Sequence, residues 1–284
     1  MKSTALTRLG ALALCAAAGA GMAGSALAQP ASPAQSLLDQ RFVFNLGGFF
    51  VQSDVKASLN GTGVNNPEVD FDKDFGKGND STQVRADAMW RITPSHHLTF
   101  MYFNNTVNRS KTLDRDIAWG DNVYQASTTI SSESKFKVGA LSYEYAFMRA
   151  PNYEVAANIG LHVTEMTLDL NGTASVNGGA PVSGTYQSNT VTAPLPVIGV
   201  RGAWVVTPNL VLDAQGQFFK LNANGYDGSW SDLRANATWM FTKNFGLGIG
   251  YDRFYTHLDV NKDAFDGKAK VGYSGLLLYG TVAF

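Results

Sequence analysis

The sequence predicts an all-β chain: an antiparallel up-and-down transmembrane β-barrel of ten strands, with eight as the alternative. Three observations carry this reading. Four short segments are near copies of one another: Trp90 to Leu98 (WRITPSHHL), Phe147 to Val155 (FMRAPNYEV), Trp204 to Leu212 (WVVTPNLVL) and Trp239 to Leu247 (WMFTKNFGL). In each, an aromatic residue stands three positions before Thr or Ala, followed by Pro or Lys and then Asn or Ser. Pro presets φ at the first corner of a turn and Asn or Ser tolerates the second, so each segment is a tight hairpin turn. Alternation is the second observation. From Thr82 to Ile92, Val84, Ala86, Ala88, Trp90 and Ile92 alternate with Gln83, Arg85, Asp87, Met89 and Arg91, a period of two that no helix shows. The third is the asymmetry of the connections, short at the four turns and long elsewhere, as in barrels with short periplasmic turns.

Taken in order, Met1 to Ala28 reads as a secretory signal peptide. Lys2 and Arg8 precede an apolar run from Leu9 to Ala20, and Ala26-Leu27-Ala28 offers a small-x-small cleavage site. The only cysteine, Cys15, lies inside it, so the mature chain is expected to carry no disulfide. Residues 29–40, with Pro30 and Pro33, read as a periplasmic linker. The barrel is expected over 41–284, with strands near 41–52, 82–92, 97–106, 135–147, 153–166, 192–206, 210–220, 230–241, 245–255 and 270–284. The four turns join alternate pairs. The other connections, 53–80, 107–134, 167–191, 221–229 and 256–269, read as long polar extracellular loops, although Val123 to Ile130 still has a strand pattern. Beyond the signal no run of 18 apolar residues exists, so no helix is long and apolar enough to span.

Composition excludes one class of partner. The chain has 22 Lys+Arg and 23 Asp+Glu, and loss of Lys2 and Arg8 leaves 20 basic residues, a net charge near −3. That balance argues against nucleic acid.

Parity assigns residues to the two faces. Outward, Trp90, Phe147, Trp204 and Trp239 form a periplasmic aromatic girdle at the headgroup level. Inward, Arg85, Asp87, Arg91, Glu144, Glu154, Asn158, His162, Arg201, Asp213, Gln215, Gln217, Asp232, Arg234, Asn236 and Asp252 face the lumen. With both signs interspersed, these groups are expected to pair across it and plug it, since a buried charge needs a partner. A thin path for ions or small hydrophilic solutes is the competing reading. A second outward set, Lys135, Lys137, Lys220, Arg253 and Lys270, falls about one membrane thickness from the periplasmic ends. From Phe245 to Tyr255, ten steps of ~3.3 Å tilted by ~40° climb ~25 Å, the height of the apolar band. Cations there are expected to meet lipopolysaccharide phosphates or to snorkel to water.

Two further patterns bear on chemistry. Asp70 to Asp80 (DFDKDFGKGND) superficially looks like a calcium loop, but Gly76 is displaced by one from the sharp-turn position and no Glu closes it. No metal or cofactor is therefore expected. Among the histidines, His96 and His97 sit beside a periplasmic turn, His162 in the upper lumen and His257 at the base of the last loop. A His162, Glu165 and Ser131 grouping is conceivable for catalysis, but no spacing demands it, so no enzyme activity is expected.

The alternation, the segment Leu247 to Arg253 (LGIGYDR) and the ending Leu276 to Phe284 (LLLYGTVAF) resemble the small proteobacterial outer-membrane barrels of the OmpA-, OmpX- and OmpW-like group. The resemblance covers about 41–284, with no OmpA-type periplasmic domain. It implies residence in a Gram-negative outer membrane and contact with its lipid and lipopolysaccharide. It also implies recognition by the barrel assembly machinery through the last strand and Phe284, and a structural or surface-interaction role for the extracellular loops.

Overall fold

The computed structural model describes residues 31–284 apart from 79–80, 177, 224–225 and 263–264. The expected signal peptide lies outside the described residues. Ten long strands form the wall: β1 (Phe42–Leu59), β3 (Ser81–Thr93), β4 (His96–Thr112), β7 (Thr129–Ala150), β8 (Tyr153–Val176), β9 (Val182–Val205), β10 (Leu210–Ala223), β11 (Tyr226–Met240), β12 (Phe245–Lys262) and β13 (Phe265–Ala283). Each pairs antiparallel with the next, and β13 returns to β1 from Val43 opposite Ala283 to Leu59 opposite Gly267. Closure removes nearly all of the free edge that hydrocarbon would not tolerate. At this closing pair Gly47 is required by space, since an added Cβ would stand 2.1 Å from the Leu278 carbonyl oxygen.

The alternation does what its period dictates. On β8 the outward residues Tyr153, Ile159, Leu161 and Val163 are exposed, whereas Glu154, Ala156, Asn158, His162 and Thr164 are buried. All four girdle aromatics point outward, with Trp90 39 %, Phe147 51 %, Trp204 57 % and Trp239 48 % exposed. Phe147 sits in a register shift between Ala146 and Met148.

Three expectations need correction. The segment read as a linker contains a helix, α1 (Pro33–Asp39), started by a capping box between Ser32 and Gln35. Its Ala34, Leu37 and Leu38 pack on Ala203, Val211, Met240 and Ala283 at the turn end of the barrel. The long loops are mostly strand. β7, β8 and β9 have 22, 24 and 24 residues, and 24 residues at ~3.3 Å and ~40° of tilt reach roughly 60 Å, more than twice the apolar band. Val123 to Ile130 is not one strand: β6 (Asn122–Tyr124), which pairs with β5 (Ile117–Trp119), ends at a turn holding Ser127 at φ 63° before β7 begins. A short strand β2 (Val69–Asp70) pairs with upper β1, and the one-turn α2 (Phe71–Asp74) follows it.

Candidate functional site

The interior is layered, and the layers follow from which inward positions are charged, polar or aromatic. Just above α1 lies a first ionic layer. Arg201 donates to Glu144 at 2.9 Å and also bonds Glu154, while Arg91 Nη1 reaches Glu154 at 3.1 Å and His97 at 3.0 Å. The His97 ring stands 3.7 Å from Glu144. Arg149 adds a third guanidinium, 3.4 Å from Glu154, and joins the layer to α1 through the Leu38 carbonyl oxygen and Asp39. Glu144 and Glu154 are fully buried. Carboxylates so placed are tolerable only because several guanidiniums meet them.

Higher up, a second layer links opposite walls. Arg85 bonds Asp87 at 3.1 Å and reaches Asp252, while Arg234 donates to Asp87 at 2.7 Å and to Gln215 at 3.0 Å. Asp213 accepts from Asn236 at 2.9 Å, and Asp232 is buried one inward position above Arg234. Gln217 donates to Asn158 at 3.0 Å. Thus the inward residues selected by parity fall into two groups rather than one, His162 apart, which stands higher against Trp230.

Above them the interior is aromatic, which corrects the expectation of a polar lumen throughout. Phe49, Phe103, Phe136, Phe254 and Tyr273 are buried with ring centroids 4.4–6.1 Å apart. Trp230 lies edge-on to Phe254 at 4.1 Å and to His162 at 4.7 Å. A cap made by α2 and the β5–β6 hairpin continues this core with Phe71, Phe75, Ile117, Trp119 and Tyr124, all fully buried.

The remaining candidates separate. His162 faces inward, Glu165 faces outward to Lys137, and Ser131 is outward and higher on β7, so no catalytic grouping forms among them. Asp72 accepts from Arg109 at 2.8 Å and Asp74 from Arg115 at 2.8 Å, while Asp70 caps α2. Among the described residues no group of three or more His, Cys, Asp or Glu is placed to hold a metal. All five predicted outward cations face out, but three are held by carboxylates. Lys135 meets Glu133 at 2.5 Å, Lys137 meets Glu165 at 2.8 Å and Lys270 meets Glu68 at 2.7 Å.

Sequence reasoning placed His97 beside a turn with no inward role, and it missed Arg149 and the aromatic layer. His97 shares parity with Thr99, Met101 and Phe103 on β4, and Phe254 shares parity with Asp252, so the signal was present for both.

No protein-family model matches the chain, and no curated protein matches it in sequence. Comparison with solved structures does. The outer membrane protease OmpT from Escherichia coli superposes with a TM-score of 0.60 over 86 % of this chain and 96 % of that one, at 11 % identity. The chain has the fold of an outer-membrane β-barrel. Looser matches to this barrel include the Pseudomonas putida toluene transporter TodX, with a TM-score of 0.38 and 8 % identity over 88 % and 92 % of the two chains. Another is the attachment invasion locus protein Ail of Yersinia pestis in complex with the heparin analogue sucrose octasulfate, at 0.31 and 9 % over 84 % and 97 %.

Proposed function

We propose that this barrel is an integral outer-membrane protein of a Gram-negative cell surface, with a closed lumen and a structural or surface-interaction role. The observation that carries the proposal is the sequence of obstructions along the axis: α1, two ionic layers, then a packed aromatic layer. A pore needs a continuous polar path, and the Phe136, Trp230, Phe254 and Tyr273 cluster interrupts it. What meets the environment is then the crown of extended β7, β8 and β9 with the β5–β6 hairpin, rather than long loops.

The LLLYGTVAF ending supports kinship with the small OmpA-, OmpX- and OmpW-like barrels and recognition of Phe284 by assembly machinery. The outward positions of Lys135, Lys137, Lys220, Arg253 and Lys270 support contact with lipopolysaccharide, a role left mainly to Lys220 and Arg253 because the other three are paired. Separation of His162, Glu165 and Ser131 supports a non-catalytic role. The likeness to a protease, at 11 % identity, extends to fold alone.

A narrow channel is the second reading, favoured by buried polar atoms such as Arg234 Nε and Asp252 Oδ1 that have no hydrogen-bond partner among the described residues. Planar-bilayer recording of the refolded chain separates the two. A closed barrel gives no discrete conductance steps, and reproducible single-channel steps would sink the proposal.

A further inference from the structure

One seam of the wall opens before its strands end. Among the described residues β9 and β10 pair from Val205 opposite Val211 up to Ile198 opposite Phe218, and no further. The next residues of β10, Phe219 and Lys220, pair only with β11, and β9 continues to Val182 paired only with β8. Pro194 and Pro196 occupy this one-sided stretch of β9, where β8 pairs through them opposite Val163 and Leu161. Proline is confined to strand positions whose N–H is not needed. Here the two prolines remove the N–H groups that would otherwise face the open seam unpaired.

The seam lies at a telling height. Ile198 is six residues above Trp204, ~15 Å at ~3.3 Å per residue and ~40° of tilt, so the opening occupies about the upper 10 Å of a ~25 Å apolar band. Outside, Ile198 and Phe218 are exposed. Inside, a narrow hollow is lined by Phe136, Met166, Val191, Ala193, Leu195 and Leu258. Phe219 stands at the inner side of the seam, partly buried against the same core. Lys220 projects outward beside the opening, and among the described residues no carboxylate pairs with it. Its long stem lets the ammonium rise to headgroup level.

We propose that the seam admits one acyl chain of a phosphate-bearing lipid from the surrounding leaflet, its end in the hollow and its phosphate on Lys220. Thr164, Ser229, Thr256 and His257 also line the hollow, so bilayer hydrocarbon is at least as apolar and burial alone gives no preference. The ammonium–phosphate contact supplies the selection. The inference rests on the reading of the apolar belt as lipid-facing, and the test separates the two.

The full chain is refolded in vesicles of phosphatidylglycerol bearing a diazirine at one acyl terminus, photolysed, and the labelled residues are mapped by mass spectrometry. Label is expected on inward Met166, Leu195 and Leu258 as well as on outward Ile198 and Phe218. Lys220→Glu should lower the inward label about fivefold relative to the outward label, the scale of a single exposed charge pair, whereas Lys220→Arg retains it. Strand content by circular dichroism checks that the variants fold. Label confined to the outward residues overturns the inference and leaves the belt intact. Absence of outward label overturns the lipid-facing belt itself. Inward label indifferent to Lys220→Glu overturns the phosphate contact.

Discussion

Glu154 shows how much one lumen residue can hold. It is fully buried and meets Arg91, Arg149 and Arg201. Glu154→Gln keeps the shape but leaves Arg91 without a carboxylate contact, Arg201 with Glu144 alone and Arg149 with Asp39 alone, so unfolding in urea should show a loss of about 3 kcal/mol, the cost of breaking a buried pair. A loss below about 1 kcal/mol would mean that water already screens the layer. Such residues were legible because a period of two leaves no choice of face: once Trp90 points out, Arg91 points in. What parity does not contain is the chemistry of the inward set. Trp230, Phe254 and Tyr273 alternate as regularly as Asp232 and Asp252, but an apolar residue on either face of a membrane barrel reads as lipid-facing until the wall is closed. His97 was hidden by its nearness to a turn, where strand phase restarts.

Among the elements, α1 carries its own signal in Ser32, Pro33 and Gln35, a capping box with proline at the first turn, followed by Leu37 and Leu38. A helix of 7 residues is below the length that stands alone in water, so it exists through docking on Val211, Met240 and Ala283. Leu38→Asp should therefore release it: amide exchange over 33–39 rises at least tenfold while that of β8 is unchanged, and unchanged exchange over 33–39 would contradict docking as its cause. At the opposite end the β5–β6 hairpin buries Tyr124, which pushes its hydroxyl up to about 12. An unfolded tyrosine ionises near 10, so the cap's stability is full below pH ~10 and falls as pH rises toward 12. Limited proteolysis of the cap should accelerate across that window, and Tyr124→Phe should flatten the acceleration. The upper strands were legible only in part. Leu168 and Leu170 alternate with Thr167, Asp169 and Asn171, a strand with a dry inner face and a wet outer one, and a strand end placed at Met166, where the outward residues turn polar, stops short of it.

For the molecule as a whole, depth in the bilayer is set by outward residues alone. Ile159 lies six residues above Tyr153, near the middle of the band, and is 60 % exposed. Ile159→Arg should cost ~2–4 kcal/mol in urea unfolding from phospholipid vesicles. Ser188→Arg, outward but above the band, should stay within about 0.5 kcal/mol. Equal effects would mean that the belt does not sit in hydrocarbon. Along β8 and β9 the outward side chains change from Val163 and Pro194 to Glu165 and Thr192, while the ladder runs on unbroken to Gly172 opposite Thr185. No hinge, bulge or turn marks the change. The waterline is therefore written in side chains on a wall that is the same backbone above and below it. Leucine at Glu165, Thr167, Thr190 and Thr192 would raise that line by about 10 Å on this side without moving a strand, and the barrel would then match a thicker membrane and tilt in a thin one. Hydrophobic thickness in this architecture is a property of composition, adjustable one residue pair at a time.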